Sequence, residues 1–476
     1  MKNALLIFAF LSFYLSSVHA SVEIRSNKLT TGDGLANNSI RYMFQDSKGF
    51  MWMGTVNGLS YYDGNSFVSI YPDPNLPISL ADPRIRNMEE DSNGFLWIAT
   101  LSSLYSCYDL KHGRFVDFTG CGEYKQSYSK KIIASDQSIW LWDNNNGCRR
   151  VVYQDGQFSS QAYKKELGNL SSDKVLFVYE SNDSPGHVWI GTKQGLWKYH
   201  DGKLEAMDTQ GESWEHIFSY DQYTCIITGK KEIYRHSLSN NRLEKIASLT
   251  ELGDTGVITG SLRLQHQWVM FTATGSYILD PVTGKLRRFS RLNIKNGNVT
   301  RDNKGNAWVH NYTGNVWYVN TSTGDIKHFQ FLSSEHLGYI DVERYSIIHD
   351  SRDIIWITTY GNGLFAYDLN TGDLQHFTFE VSHSSHINSN YLQYIIEDRS
   401  GGIWVSSEFS GLSHLEILNK GTLRIYPNGE DASDRSNTIR MLLRGKNGNV
   451  YMANRMGTLY ELSLIHISEP TRRSYI

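Results

Sequence analysis

Apolar positions in this chain fall in short runs, each bounded by Asp, Asn and Gly. The stretch Asp46-Ser-Lys-Gly-Phe-Met-Trp-Met-Gly-Thr-Val-Asn-Gly-Leu-Ser-Tyr-Tyr-Asp63 shows the pattern in full. A turn at Asp46 to Gly49 leads into an apolar run centred on Trp52. A second turn at Asn57-Gly58 leads into Leu59 to Tyr62, and Asp63-Gly64 closes it. With Ser39 to Phe44 before it and Ser66 to Tyr71 after it, the stretch predicts four consecutive strands. The joints Asp-x-x-Gly, Asn-Gly and Asp-Gly supply the positive φ angles that tight hairpins require. The second run is apolar at successive positions, so both its faces must be buried.

The Trp of that second run returns at positions 97, 140, 189, 268, 308, 356 and 404. The spacing is 40 to 49 residues, except for 79 between Trp189 and Trp268, which is two periods. A degenerate unit fits inside that gap, with Tyr223 to Gly229 and Glu232 to Arg235 as its runs. A last unit carries Tyr451 in the Trp place, making ten units. A lone four-stranded sheet cannot bury both faces, whereas sheets stacked face to face in a ring can, which predicts a β-propeller. No unit holds a run of helical period long enough for a helical solenoid.

The expected fold is all-β, a seven-bladed β-propeller followed by an incomplete second propeller of about three blades, seven being a common count. Val22 to Leu29 precedes the first unit as Leu374 to Phe379 precedes the unit of Trp404, so it reads as a fourth strand that completes its ring's last blade. The first ring is therefore assigned to 22–320. Asp325 to Phe331 becomes the opening strand of the second, 325–461, which should expose an unpaired face and edge. Residues 1–20 read as a signal peptide, with Lys2, an apolar stretch from Ala4 to Val18, and Val18-His-Ala20 at the cut. Leu462 to Arg472 matches the translation of a transposase adaptor used in sequencing libraries. Residues 462–476 are accordingly expected to be a sequencing-adaptor artefact, with the gene continuing past Glu461.

Composition adds modest constraints. An aromatic share of 13 %, with 29 Tyr and 12 Trp, suits pleated, half-buried surfaces. The net charge of −3 and the lack of a basic block argue against nucleic acid as a partner. The four cysteines, Cys107, Cys121, Cys148 and Cys225, fit no metal spacing. Pairing of Cys121 with Cys148 after export and buried free thiols both remain open.

No stretch nominates a nucleophile, acid or base, so the chain is expected not to be an enzyme and to need no cofactor. The repeated Asp reads as a turn residue accepting backbone N–H bonds. Asp143 to Gly147 and Asp302 to Gly305 lack the ligand pattern of a calcium loop. His383 and His386 fall in a Ser-rich loop and are read as solvated. Ligand contacts are expected on the face carrying the second-to-third and fourth-to-first loops, among them Tyr71 to Arg84, Thr119 to Lys130, Ser159 to Asp173 and Tyr360 to Gly363. Tyr360 is one candidate, weighed against a packed turn aromatic.

The repeated Ile-Arg-x-Met…Asp-x-x-Gly-Phe-Leu-Trp-Ile-Gly-Thr-x-x-Gly-Leu-x-x-Tyr-Asp resembles the two-component regulator propeller repeat. Leu29-Thr-Thr-Gly-Asp-Gly-Leu-Ala-Asn-Asn-Ser-Ile40 resembles that family's entry into its first blade. The resemblance implies the periplasmic sensor region of a hybrid two-component protein of the Bacteroidetes. It further implies an oligosaccharide ligand, a homodimeric parent held in the inner membrane by a helix missing from this chain, and a histidine kinase also missing from it. An exported propeller glycosidase or lyase, and a non-catalytic protein-binding scaffold, are the alternatives.

Overall fold

The computed structural model describes residues 22–462 except for 121–126, 181–184, 209–212, 222–223, 230–231, 238–240, 255–256, 303, 312–314, 332–345, 381–385, 419–437 and 446–449. The expected signal peptide and residues 463–476 lie outside the described residues. The chain divides into two compact units, 1–417 and 418–476.

The first unit contains nine four-stranded antiparallel sheets, one for each unit from Trp52 to Trp404. In the first sheet Ile40–Gln45, Met51–Thr55, Leu59–Tyr62 and Phe67–Ile70 pair in that order. The degenerate unit takes the same form, with Trp214–Asp221, Thr224–Gly229, Glu232–Ser237 and Arg242–Ser248.

Burial follows the apolar pattern. Every residue of the second strands Met51–Thr55, Phe95–Thr100, Val188–Thr192, Ile354–Thr358 and Ile403–Ser407 is buried. Fourth strands such as Ile326–Gln330 and Leu374–Phe377 are largely open to solvent. Gly54 follows from this packing, because a Cβ there would lie 2.6 Å from Ile85 Cγ2 in the next sheet. Apolar clusters fill the spaces between consecutive sheets. One joins Trp52 and Leu59 to Ile85, Met88 and Leu96, and another joins Trp308 and Val316 to Ile347 and Ile355. A further cluster joins Trp404 and Leu412 to Leu29, Met43 and Met53, so the ninth sheet packs on the first.

Closure differs from the sequence expectation. Glu23–Leu29 completes the sheet of Trp404, pairing with Leu412–Leu418 rather than with the sheet of Trp308. Arg25 lies 3.6 Å from Glu416, and the Gly411 N–H donates to the Asn38 carbonyl at 2.9 Å. Ile326–Gln330 opens no second ring; it is the fourth strand of the Trp308 sheet, with Ile326 opposite Val319. The reason is local. Asn320 to Gly324 forms a tight turn in which Asn320 Oδ1 accepts the N–H groups of Ser322 and Thr323, and returning the chain across so few residues costs little entropy. That strand fills the place assigned to Val22–Leu29, which pairs instead with Leu412–Leu418. The 22–320 and 325–461 division is thus replaced by one ring of nine sheets among the described residues.

A recurring polar tie links neighbouring sheets on the rim that carries the first-to-second turns. The Ser47 N–H and Oγ each donate to Glu90 at 2.6 Å. Ser351 donates to Glu397 with its N–H at 2.9 Å and its Oγ at 2.5 Å, and Ser135 binds Glu180 in the same way. Between the ninth and first sheets, the Arg399 N–H donates to Gln45 Oε1 at 2.9 Å.

In the second unit Ile439–Arg444, Val450–Asn454 and Leu459–Leu462 form a three-stranded sheet. Leu442 is 65 % exposed, and Met441 and Leu443 are exposed beside it.

Candidate ligand-binding face

The repeated Asp acts on the fold. Asp46 Oδ1 accepts the Lys48 and Phe50 N–H groups at 2.9 Å, while Oδ2 accepts the Trp52 indole N–H at 2.8 Å. Asp91, Asp350 and Asp398 hold Trp97, Trp356 and Trp404 in the same way. Burial alone would raise the Asp398 carboxyl. Hydrogen bonds from His414, Ser400, Trp404 and Gly402 outweigh it and hold the group far below the ordinary carboxylate range. Ala134 and Leu262 occupy the Asp place before Trp140 and Trp268, and both indole nitrogens are buried without a partner among the described residues. Asp143 and Asp302 likewise spend Oδ1 on backbone N–H groups of their own turns.

Cys107 and Cys148 are buried free thiols, both raised by burial well above the ordinary range. Cys121 and the side chain of Cys225 lie outside the described residues. His386 sets its ring edge-on to Phe377, with centroids 5.9 Å apart; its sequence partner His383 lies outside the described residues. The segment assigned to a loop from Ser159 begins as strand, since Gln157–Tyr163 pairs with Cys148–Gln154.

The second-to-third turns and fourth-to-first loops meet on one face, as expected, and backbone bonds tie them together. The Leu101 N–H donates to the Arg84 carbonyl at 2.9 Å, and the Glu408 N–H to the Tyr391 carbonyl at 2.9 Å. This places Tyr360 against Tyr391, with ring centroids 5.2 Å apart and planes at 75°. Tyr360 is half-buried and Tyr391 exposed, so packing claims part of the Tyr360 ring and leaves part open. Phe409, which the sequence reading missed, is 69 % exposed at the tip of the next turn. Its position immediately before Ser410-Gly411 is the signal that would have found it.

Polar groups flank these rings. Glu408 accepts a hydrogen bond from Gln393 Nε2, and its other oxygen lies 3.7 Å from an Arg41 nitrogen. Arg41 Nε is buried with no hydrogen-bond partner among the described residues. Burial, and then the Glu408 carboxylate, raises the Tyr360 hydroxyl above its ordinary value. The Gly361 and Gly363 N–H groups both donate to the Asn390 carbonyl, fixing the Tyr360 turn. Gly363 has φ +74°, and a Cβ there would overlap the Phe377 carbonyl oxygen. Two or three rings beside a carboxylate, an amide and a guanidinium can stack on the apolar face of a sugar and hydrogen-bond its hydroxyls.

The nine antiparallel sheets define a β-propeller repeat protein. Residues 34–57 and 79–102 match the family described as two component regulator propeller. Those two segments carry that family's repeat. No curated protein matches it. Among solved structures it is similar to the extracellular domains of two hybrid two-component systems from B. thetaiotaomicron. One is 17 % identical, covering 96 % of this chain and 60 % of that one, with a TM-score of 0.39. The other is 19 % identical, covering 94 % and 72 %, with a TM-score of 0.31. It is also similar to BamB from Moraxella catarrhalis at 12 % identity, covering 84 % and 99 %, with a TM-score of 0.43. Among the described residues no helix is long and apolar enough to cross a membrane.

Proposed function

We propose that this chain is the exported, periplasmic sensor region of a hybrid two-component regulator, and that it binds oligosaccharides released from a polysaccharide. The regulator propeller repeats support the sensor role. The observation that carries the ligand class is the partly open ring pair Tyr360 and Tyr391, with Phe409 exposed on the next turn, beside Glu408, Gln393 and Arg41. Sugar rings present alternating apolar faces and hydroxyl edges, which such a surface complements. In this reading the signal passes to a histidine kinase, and the parent protein is a membrane-anchored homodimer.

Calorimetry with a panel of defined oligosaccharides tests the proposal. One chemical class should bind saturably and be recovered unchanged. Replacing Phe409 or Tyr391 by Ala should weaken binding about tenfold or more, an aromatic contact of this kind being worth roughly 1–2 kcal/mol. Turnover of the sugar would favour a propeller glycosidase or lyase instead. Binding that ignores both substitutions would move the site elsewhere.

A further inference from the structure

At the boundary between the Trp268 and Trp308 sheets an arginine holds the place that a glutamate takes in three of the polar ties. Trp52, Trp97 and Trp404 stand opposite Phe44, Glu89 and Ile396, and the next residues, Gln45, Glu90 and Glu397, are the acceptors of the tie. Trp308 stands opposite Thr300 in the same register, so the acceptor place is held by Arg301. The donor side is altered too. The Trp268 hairpin turns through Gln265-His266 alone, with no equivalent of Ser47.

A cleft of about 520 Å³ lies at this boundary, lined by Arg263, Gln265, His266, Arg301, Thr321 and Ser322. Hydrogen bonds to backbone carbonyls hold its walls. The Gln265 N–H donates to the Thr321 carbonyl at 2.8 Å, and Gln265 Nε2 to the Thr323 carbonyl at 3.1 Å. Arg263 Nε donates to the Gln265 carbonyl at 3.0 Å, which anchors that guanidinium at the rim. The adjacent carboxylate, Asp302, faces away into its own turn, where Oδ1 accepts the Lys304 and Asn306 N–H groups. Two guanidiniums, an imidazole and two hydroxyls thus line this boundary, where Glu90, Glu180 and Glu397 supply a carboxylate at theirs.

We propose that this cleft binds an oxyanion, with Arg263 and Arg301 as its charged ligands. Sulfate, phosphate and carboxylate share the chemistry that planar guanidinium donors recognise. The bound anion takes the place that Glu90, Glu180 and Glu397 fill at their boundaries and bridges the Trp268 and Trp308 sheets. The site lies on the opposite rim from Tyr360 and does not depend on the oligosaccharide reading.

The test is calorimetric titration of the full chain with sodium sulfate, sodium glucuronate and a sulfated disaccharide. Saturable binding is expected, weakened about tenfold or more by Arg301→Glu and by Arg263→Ala, since charge-assisted pairs of this kind are the strong ones. Arg301→Glu places at this position the residue that Glu90 and Glu397 provide elsewhere, so the ring should still fold; Arg301→Gln serves if it does not. Tighter binding of the disaccharide than of sulfate identifies a glycan-borne anion, and equal binding a free ion. Phe409→Ala should leave sulfate binding unchanged. Absence of saturable binding for all three probes, or wild-type affinity in both Arg301 variants, overturns the proposal.

Discussion

The Trp52 indole N–H donates to Asp46 Oδ2 at 2.8 Å, with both residues buried and only six positions apart. One carboxylate therefore closes the turn and satisfies the polar atom of the ring that fills the space beside the next sheet.

Asp46→Ala removes the acceptor for one indole and two backbone N–H groups. It should lower stability by about 2–4 kcal/mol, because buried donors left unpaired cost more than the bond itself contributes. Asp46→Asn should cost less. Urea denaturation followed by tryptophan fluorescence measures both, and equal losses would show that the charge adds nothing.

The tie from Ser47 to Glu90 should couple two neighbouring sheets. A double-mutant cycle with Ser47→Ala and Glu90→Ala is expected to give a coupling of about 0.5–1.5 kcal/mol. Additive losses would show that the contact is geometric only.

Burial lowers the His310 imidazole from 6.5 to about 4. The unfolded chain then binds the extra proton first as pH falls. The associated stability is present above about pH 6.5 and is lost as pH drops towards 4, by up to ~3 kcal/mol. Urea midpoints at pH 7.5, 6 and 4.5 should fall in that order. His310→Phe should flatten the decline, and an unchanged slope would remove His310 as its source.

Gly363→Ala forces a side chain into the left-handed region and against the Phe377 carbonyl. The thermal midpoint should fall, by about 1–3 kcal/mol of stability, and oligosaccharide affinity should fall with it as Tyr360 shifts. Retained affinity with a lowered midpoint would separate Tyr360 from the ligand.

The exposed Leu442 should bind hydrophobic dye. Leu442→Glu is expected to lower dye fluorescence without moving the main unfolding transition. A shift of that transition would show that the second unit supports the first.

Much of the architecture was legible along the chain. The spacing of Trp52, Trp97 and their equivalents, the Asp six residues ahead of several of them, and the doubly apolar second strands mark each sheet, because hairpin geometry and burial are set within some twenty residues. The turn Asn320-Thr-Ser-Thr-Gly324 was equally legible and went unused. It resembles Asp280-Pro-Val-Thr-Gly284 and Asp368-Leu-Asn-Thr-Gly372, both third-to-fourth turns, and so marks Ile326–Gln330 as a fourth strand. Which sheet receives Glu23–Leu29 was beyond local pattern, since any sheet lacking a fourth strand offers the same edge. Tertiary packing of Leu29 and Met43 with Trp404 and Leu412 makes that choice. The same holds for chemistry at the rims. Residues far apart in sequence, Tyr360 with Tyr391 and Arg263 with Arg301, become neighbours only when the sheets stack. Sequence by itself determined the repeating sheet and the Asp that shapes its turn, because those interactions are local. Tertiary structure alone decided the ring's closure and its two candidate binding surfaces, because both depend on contacts between sheets.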